Sequence, residues 1–417
     1  MGLDLILRKA RIAGETDSFD IGVAAGRIAA IEPHIAAEAR EQQLDGRLVV
    51  PGFVESHIHL DKSCILDRCS SQQRNLQHAI KDVATAKRAF TEEDIYARSR
   101  RTLEKAIVHG TMRMRAHTEV DPRVGLRAFQ AMQRLKRDYA WAIDLEICVF
   151  PQEGLLNDPG AEELLLAACD GGADLIGGCP YTDSDPHGQI ARIFAIARRF
   201  DLDIDFHLDF DLDPSWMHLD EVCRQTAAHC YGGRVAIGHA TKLSMLPPQG
   251  FAAAARRLAD AGVAVTVLPA TDLFLLGREH EHGAPRGVAP AHRLIEHGAL
   301  CAIATNNVLN PFTPFGDCSL IRMANLYANI AQIGGGKELA ACFDMITTMP
   351  ARMMNLTDYG IVVGNPADLV VLDCRDRTAA IAELATPLFG IKNGRRSFER
   401  SAPRLHRPVE SSRVPGE

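Results

Sequence analysis

His57-Ile58-His59 places two imidazoles two residues apart. Along an extended chain that spacing turns both rings to the same side, where they can grip one cation. His207 and His239 follow singly, each at the end of a short apolar run. A third run, LCAIATNN (300–307), ends in Asn306 and Asn307. Imidazole suits borderline divalent metals such as zinc or iron, and three protein ligands with an open position make a catalytic site rather than a structural one. Hydrogen-bonded core histidines are the plain alternative, but that reading does not explain why the rings collect at the ends of apolar runs.

Such a site needs strands to present it. Eight apolar runs read as strands: LVVPGF (48–53), TMRMRAHTE (111–119), DLEICVFPQ (144–152), ADLIGGCP (173–180), LDIDFHLDF (202–210), RVAIGHAT (234–241), VAVTVLP (263–269) and LCAIATNN (300–307). The first leads into His57, the fifth into His207, the sixth into His239 and the eighth into Asn306. Amphipathic segments such as EDIYARSRRTLEKAIVHG, AEELLLAACDGG and GQIARIFAIARRF lie between them. Eight strands in regular βα alternation predict an α/β fold, a (β/α)8 TIM barrel whose chemistry sits at the C-terminal ends of its strands. The count of eight and the lack of a Gly-rich phosphate loop disfavour a doubly wound sheet.

The flanks read differently. LDLILRKARI, DIGVAAGRIAAIEP and REQQLDGRLVVPG are short strands with turns, one of them expected at Gly26-Arg27, and NPADLVVLD and LFGIKNGRRSF repeat the pattern near the other end. The expected organisation is a small β-sandwich from 1–50 and 356–400, a barrel from 51–355, and a disordered tail over 401–417.

Several stretches resemble the cytosine deaminase branch of the amidohydrolase superfamily: PGFVESHIHLDK (51–62), HLD (207–209), GHAT (238–241) and NPFTPFGD (310–317). FPQEG (150–154) and NLTDYGIVVGNPADLVVLD (355–373) match signatures narrower than the superfamily. The resemblance runs in order over nearly the whole chain. It implies the barrel with its β-sandwich and one divalent metal ion, zinc or iron, held by His57, His59 and His207. It further implies that His239 orients or polarises the attacking water and that Gln152 contacts the amide edge of the substrate.

Two departures stand beside these matches. Where the family carries a metal-binding, proton-accepting aspartate after the eighth strand, this sequence has Asn306, and Asn307 replaces a second acid. Where the family carries a proton-shuttling glutamate three residues after the fifth-strand histidine, this sequence has Phe210. An amide has no useful pKa, so Asn306 cannot act as a general base, although its carbonyl oxygen can ligate weakly. A metal ion can lower the pKa of bound water to about 7 without a neighbouring carboxylate, and the imidazole of His239 could accept the proton. Asp61, Lys62, Glu119 and Asp272 also fall near expected strand ends, as orienting or ion-pairing residues.

A formal charge of -7 leaves no basic footprint for nucleic acid or anionic membrane. No apolar run is long enough to span a bilayer, and MGLDLILRKARI lacks a secretory core. The 11 cysteines form no CxxC pair, as expected of reduced core thiols in a cytoplasmic protein. The expected partners are a small-molecule substrate and further copies of the chain. The expected function is metal-dependent hydrolysis of a C–N bond in a small neutral molecule, with Phe210 and LPATDLFLLG (268–277) making a less polar pocket than a nucleobase site. The alternative is a divergent barrel that binds a ligand or metal without hydrolysis.

Overall fold

The structure, a computed structural model, describes residues 2–15, 17–69, 75–401 and 403–406. The tail expected over 401–417 falls largely outside them. Its described part, Ser401 and 403–406, is exposed and carries no helix or strand.

Among the described residues, sixteen strands sort into two sheets. One is parallel and follows chain order from β6 (Phe53–Ile58) through β7 (Thr111–Glu119), β8 (Asp144–Phe150), β9 (Leu175–Gly178), β10 (Asp203–Leu208), β11 (Val235–His239) and β12 (Val263–Val267) to β13 (Cys301–Ile303). Its two edges meet at a single parallel bridge, Ile58 to Asn306. Runs such as VAVTV are buried at every residue, as expected for strands covered on both faces. The intervening helices carry local start signals. Thr91 accepts from the Asp94 amide ahead of Glu92–Val108, whose first turn is acidic, and Asp185 caps Pro186–Phe200 with proline at the first helical position. The apolar faces of these helices join the strands in one continuous core.

The other sheet combines β1 (Leu5–Ile12), β2 (Ser18–Ala24), β3 (Arg27–Glu32), β4 (Arg40–Gln43) and β5 (Leu48–Pro51) with β14 (Leu369–Leu372), β15 (Pro387–Lys392) and β16 (Arg395–Glu399). Its pairings are mostly antiparallel, except that β1 runs parallel to both β4 and β5. A separate small core, including Leu7, Ile21, Val23, Val49, Leu369 and Val371, fills it.

The structure departs from the expected strand pattern at two places. The segment 48–53 is not the first barrel strand: Leu48–Pro51 pairs antiparallel with β14, and the barrel strand is Phe53–Ile58. Val49 and Val371 lie opposite each other in that ladder, a partnership across more than 300 residues that no local pattern reveals. The first hairpin turns at Ala25-Gly26 rather than Gly26-Arg27, because both turn residues must take positive φ (48° and 79°), and Arg27 already belongs to β3.

Candidate active site

β6 delivers His57 and His59 to the C-terminal end of the barrel, both buried. The chain there is held from two sides. The His59 amide donates to the Asn306 carbonyl (2.8 Å) and the Asn306 amide to the His57 carbonyl (2.9 Å), so the barrel is closed by the backbone of its own candidate site. Glu55, one turn of the pleat earlier, accepts from the Thr305 amide at 3.0 and 3.2 Å, and burial pushes its carboxyl up to about 7.

His207, from β10, completes the group. Its Nε2 lies 3.2 Å from Nε2 of His57 and 3.0 Å from Nε2 of His59. Burial, joined by the neighbouring imidazoles (and, for His59 and His207, by the nearby Lys62 ammonium), holds all three pKa values well below the ordinary histidine value, so the rings are neutral. Close-packed neutral imidazole nitrogens are what a shared cation would hold together. Gly238 makes room for this arrangement, since a Cβ there would stand 3.0 Å from the His57 ring.

Asn306 and Asn307, adjacent in sequence, do different things. Asn307 Oδ1 accepts from Asn310 Nδ2 at 2.7 Å and shapes the following turn. Asn306 has φ of 63°, is 1% exposed, and neither its Oδ1 nor its Nδ2 has a hydrogen-bond partner. A buried amide with both ends unsatisfied is costly without a ligand. The donor set therefore fits a divalent cation: three convergent imidazole nitrogens and a neighbouring amide with free polar atoms.

His239 ends β11 in the left-handed region (φ 70°). Its Nδ1 is 2.6 Å from Asp272 Oδ1, and its face stacks on Phe210 with centroids 3.7 Å apart and planes at 18°. Burial raises the Asp272 carboxyl against the pull of His239. Gln152, following β8, accepts from Lys62 Nζ (3.1 Å) and donates to Cys179 Sγ (3.2 Å). Lys62 also pairs with Glu119 at 2.6 Å, and Asp61 accepts from the Glu119 amide at 2.8 Å. Asp209 lies elsewhere in function: it caps the helix Leu219–Ala228, accepting from the His218 and Leu219 amides.

His117 belongs to the same group although it does not close an apolar run as His207 and His239 do. It stacks on His57 (3.6 Å, 20°) and reaches Asp205 at 3.4 Å, where Arg115 also binds at 3.0 Å. The available signal was its position in RAHTE, two residues from both Arg115 and Glu119 on one face of β7. The Arg115 charge beside Asp205 disfavours a second cation between His57, His117 and Asp205. The carboxylates of Glu119, Asp121 and Glu153 form another candidate cradle, but Lys87 Nζ already fills it, 2.5–2.7 Å from each.

The Amidohydro_3 profile, that of an amidohydrolase family, matches residues 40–140 and 125–398. N-isopropylammelide isopropyl amidohydrolase of Pseudomonas sp. strain ADP is 30% identical over 405 residues, 94% of this chain and 96% of that protein. The crystal structure of 5-methylcytosine deaminase from Klebsiella pneumoniae liganded with 5-fluorocytosine matches with a TM-score of 0.92 at 27% identity, covering 97% of this chain and 99% of that one. N-isopropylammelide isopropylaminohydrolase from Burkholderia multivorans matches at 0.83 and 27%, covering 95% and 98%. The profile match across most of the chain and the end-to-end similarity to hydrolases of carbon–nitrogen bonds make this protein a member of the amidohydrolase family.

Proposed function

We propose that the protein hydrolyses a C–N bond of a small neutral molecule, using one divalent metal ion, zinc or iron, held by His57, His59 and His207. The observation that carries this reading is the approach of His57 and His59 Nε2 to His207 Nε2, beside an Asn306 whose amide has no partner. The metal, when bound, supplies Lewis acidity toward water and toward the trigonal carbon under attack. Asn306 offers a carbonyl oxygen or an amide hydrogen to that region but can take up no proton. Gln152, its oxygen fixed by Lys62, is placed as a hydrogen-bonding group for the amide edge of the substrate.

Phe210 narrows the chemistry. It lays an aromatic face on His239 and leaves that position without a carboxyl to protonate a ring nitrogen. This favours a substrate whose leaving amine needs no such shuttle, such as an N-substituted heterocycle, amide, urea or carbamate, over cytosine itself. Similar proteins are named for N-isopropylammelide, 5-methylcytosine and pterin, which keeps nitrogen heterocycles foremost. The same reading takes 51–355 as the barrel and 1–50 with 356–400 as its β domain, in a cytoplasmic homo-oligomer. Among the described residues, no helix is long and apolar enough to cross a membrane.

The test pairs elemental analysis of the purified protein with release of amine or ammonia from N-isopropylammelide, 5-methylcytosine, pterin and a set of simple amides, ureas and carbamates. About one zinc or iron per chain with turnover of one class supports the proposal. Bound metal with no hydrolysis anywhere in the panel favours a binding protein, a reading that the two missing acids, Asn306 and Phe210, make specific.

A further inference from the structure

Hydrolysis requires a group that takes a proton from water and passes it to the leaving nitrogen, and Asn306 cannot be that group. The buried carboxylates around the three histidines are committed elsewhere. Glu119 is paired with Lys62 and Lys87, Asp205 with Arg115, and Glu55, Asp61 and Asp209 with backbone amides. Asp272 instead faces the imidazole of His239, and of these carboxylates only it and Asp205 keep an oxygen without a hydrogen-bond partner. Asp272 is fully buried in the helix Pro269–Leu275, its Oδ1 meets His239 Nδ1 at 2.6 Å, and its Oδ2 has no partner.

The imidazole is fixed in two further ways. Phe210 covers one face, and the positive φ of His239 turns the ring out of the regular strand path. Its centroid stands 5.7 Å from that of His207 and 6.2 Å from that of His57. A carboxylate at Nδ1 dictates the tautomer: Nδ1 carries the hydrogen and Nε2 keeps its lone pair.

Resting on the hydrolase reading above, we infer that Asp272 is a positioning residue that holds the proton of His239 on Nδ1, so that Nε2 serves as the proton acceptor in place of the carboxylate missing at Asn306. Water loses one proton to Nε2 as its oxygen bonds to the trigonal carbon. That proton returns to the nitrogen as the C–N bond breaks, and the neutral imidazole is restored. Asp272 stays ionised throughout and steadies the transient imidazolium.

The tautomer is measured by nitrogen–proton NMR on histidine-labelled protein, with His239 assigned by its loss in His239→Gln. The wild type is expected to carry its hydrogen on Nδ1. Asp272→Asn, whose amide can donate to Nδ1, should move it to Nε2. A wild-type ring protonated on Nε2, or one unchanged by Asp272→Asn, overturns the inference, and the wild-type measurement stands even if the variant folds poorly. The kinetic arm uses N-isopropylammelide and 5-methylcytosine. On whichever is turned over, Asp272→Asn should lower kcat by about 10²–10⁴-fold while KM moves by less than about threefold. A purely structural role would instead leave kcat per folded, metal-loaded molecule near the wild-type value, which would also overturn it. If neither compound is hydrolysed, the substrate reading fails, while the NMR result still decides whether Asp272 sets the tautomer.

Discussion

Asn306 is a neutral side chain at a place where charge would be strongly felt. Replacing it with aspartate adds a negative charge beside the proposed cation, worth about 4 kcal/mol at ~4 Å and an effective dielectric near 20. Asn306→Asp is therefore expected to raise metal affinity at least about tenfold without improving turnover of the native substrate, as competition with a chelator and parallel rate measurements would show. Unchanged affinity would place residue 306 away from the ion. His57→Ala with His59→Ala should abolish metal content in elemental analysis, and an unaltered content would defeat the ligand assignment. Cytosine should release little or no ammonia with the wild type, because Phe210 and Asn306 leave its ring nitrogen without a proton donor. Measurable deamination in Asn306→Asp with Phe210→Glu, and no other substrate for the wild type, would instead mark a decayed deaminase.

At the scale of elements, the end of the helix Leu76–Ala86 is tied to the barrel strands by a buried cation. Lys87 follows the helix Leu76–Ala86, and its ammonium meets Glu119 and Asp121 from the end of β7 and Glu153 from beyond β8. Lys87→Met leaves three carboxylates facing one another and should cost about 3–5 kcal/mol in urea unfolding. A loss below about 1 kcal/mol would show that the cluster relaxes. The cluster also has a pH signature. Burial, with Glu119 and Asp121 adding to it and Lys87 opposing, raises Glu153 from 4.5 to about 7. The folded state thus binds the proton more tightly than the unfolded one, and this group's contribution to stability falls as pH rises from about 4.5 to about 7. Glu153→Gln should remove that fall, so the stability difference between variant and wild type changes across this window and levels off above it. A difference independent of pH would refute the assignment.

For the whole molecule, the β sheet built from β1–β5 and β14–β16 is stitched to the barrel at the face opposite the histidines. Lys392, 2% exposed, sits 2.6 Å from both Asp144 at the start of β8 and Asp368 ahead of β14, and Arg113 joins the same carboxylates. Since Asp144 is partly exposed, Lys392→Met is expected to cost only about 2 kcal/mol, read by denaturant unfolding. Metal content per folded chain should not change, because the site lies at the other end of the strands. Loss of metal together with stability would mean that the two ends of the barrel are coupled.

The local sequence determined the alternation of strands and helices, the paired imidazoles of HIH and the gathering of His207, His239 and Asn306 at strand ends. Those features follow from side-chain periods of two and 3.6 residues, which need only neighbours along the chain. The tertiary structure decided which atoms meet. Leu48–Pro51 left the barrel because β14 supplied a ladder partner. His117 became the floor beneath His57 only when β6 and β7 paired, and Asp272 found His239 from 33 residues away. Asn306 and Asn307 look equivalent in the sequence, yet one holds Asn310 while the other closes the barrel through its backbone and keeps its amide unpaired. Hydrogen-bond partners and ring stacks depend on distances between remote segments, and barrel closure sets those distances.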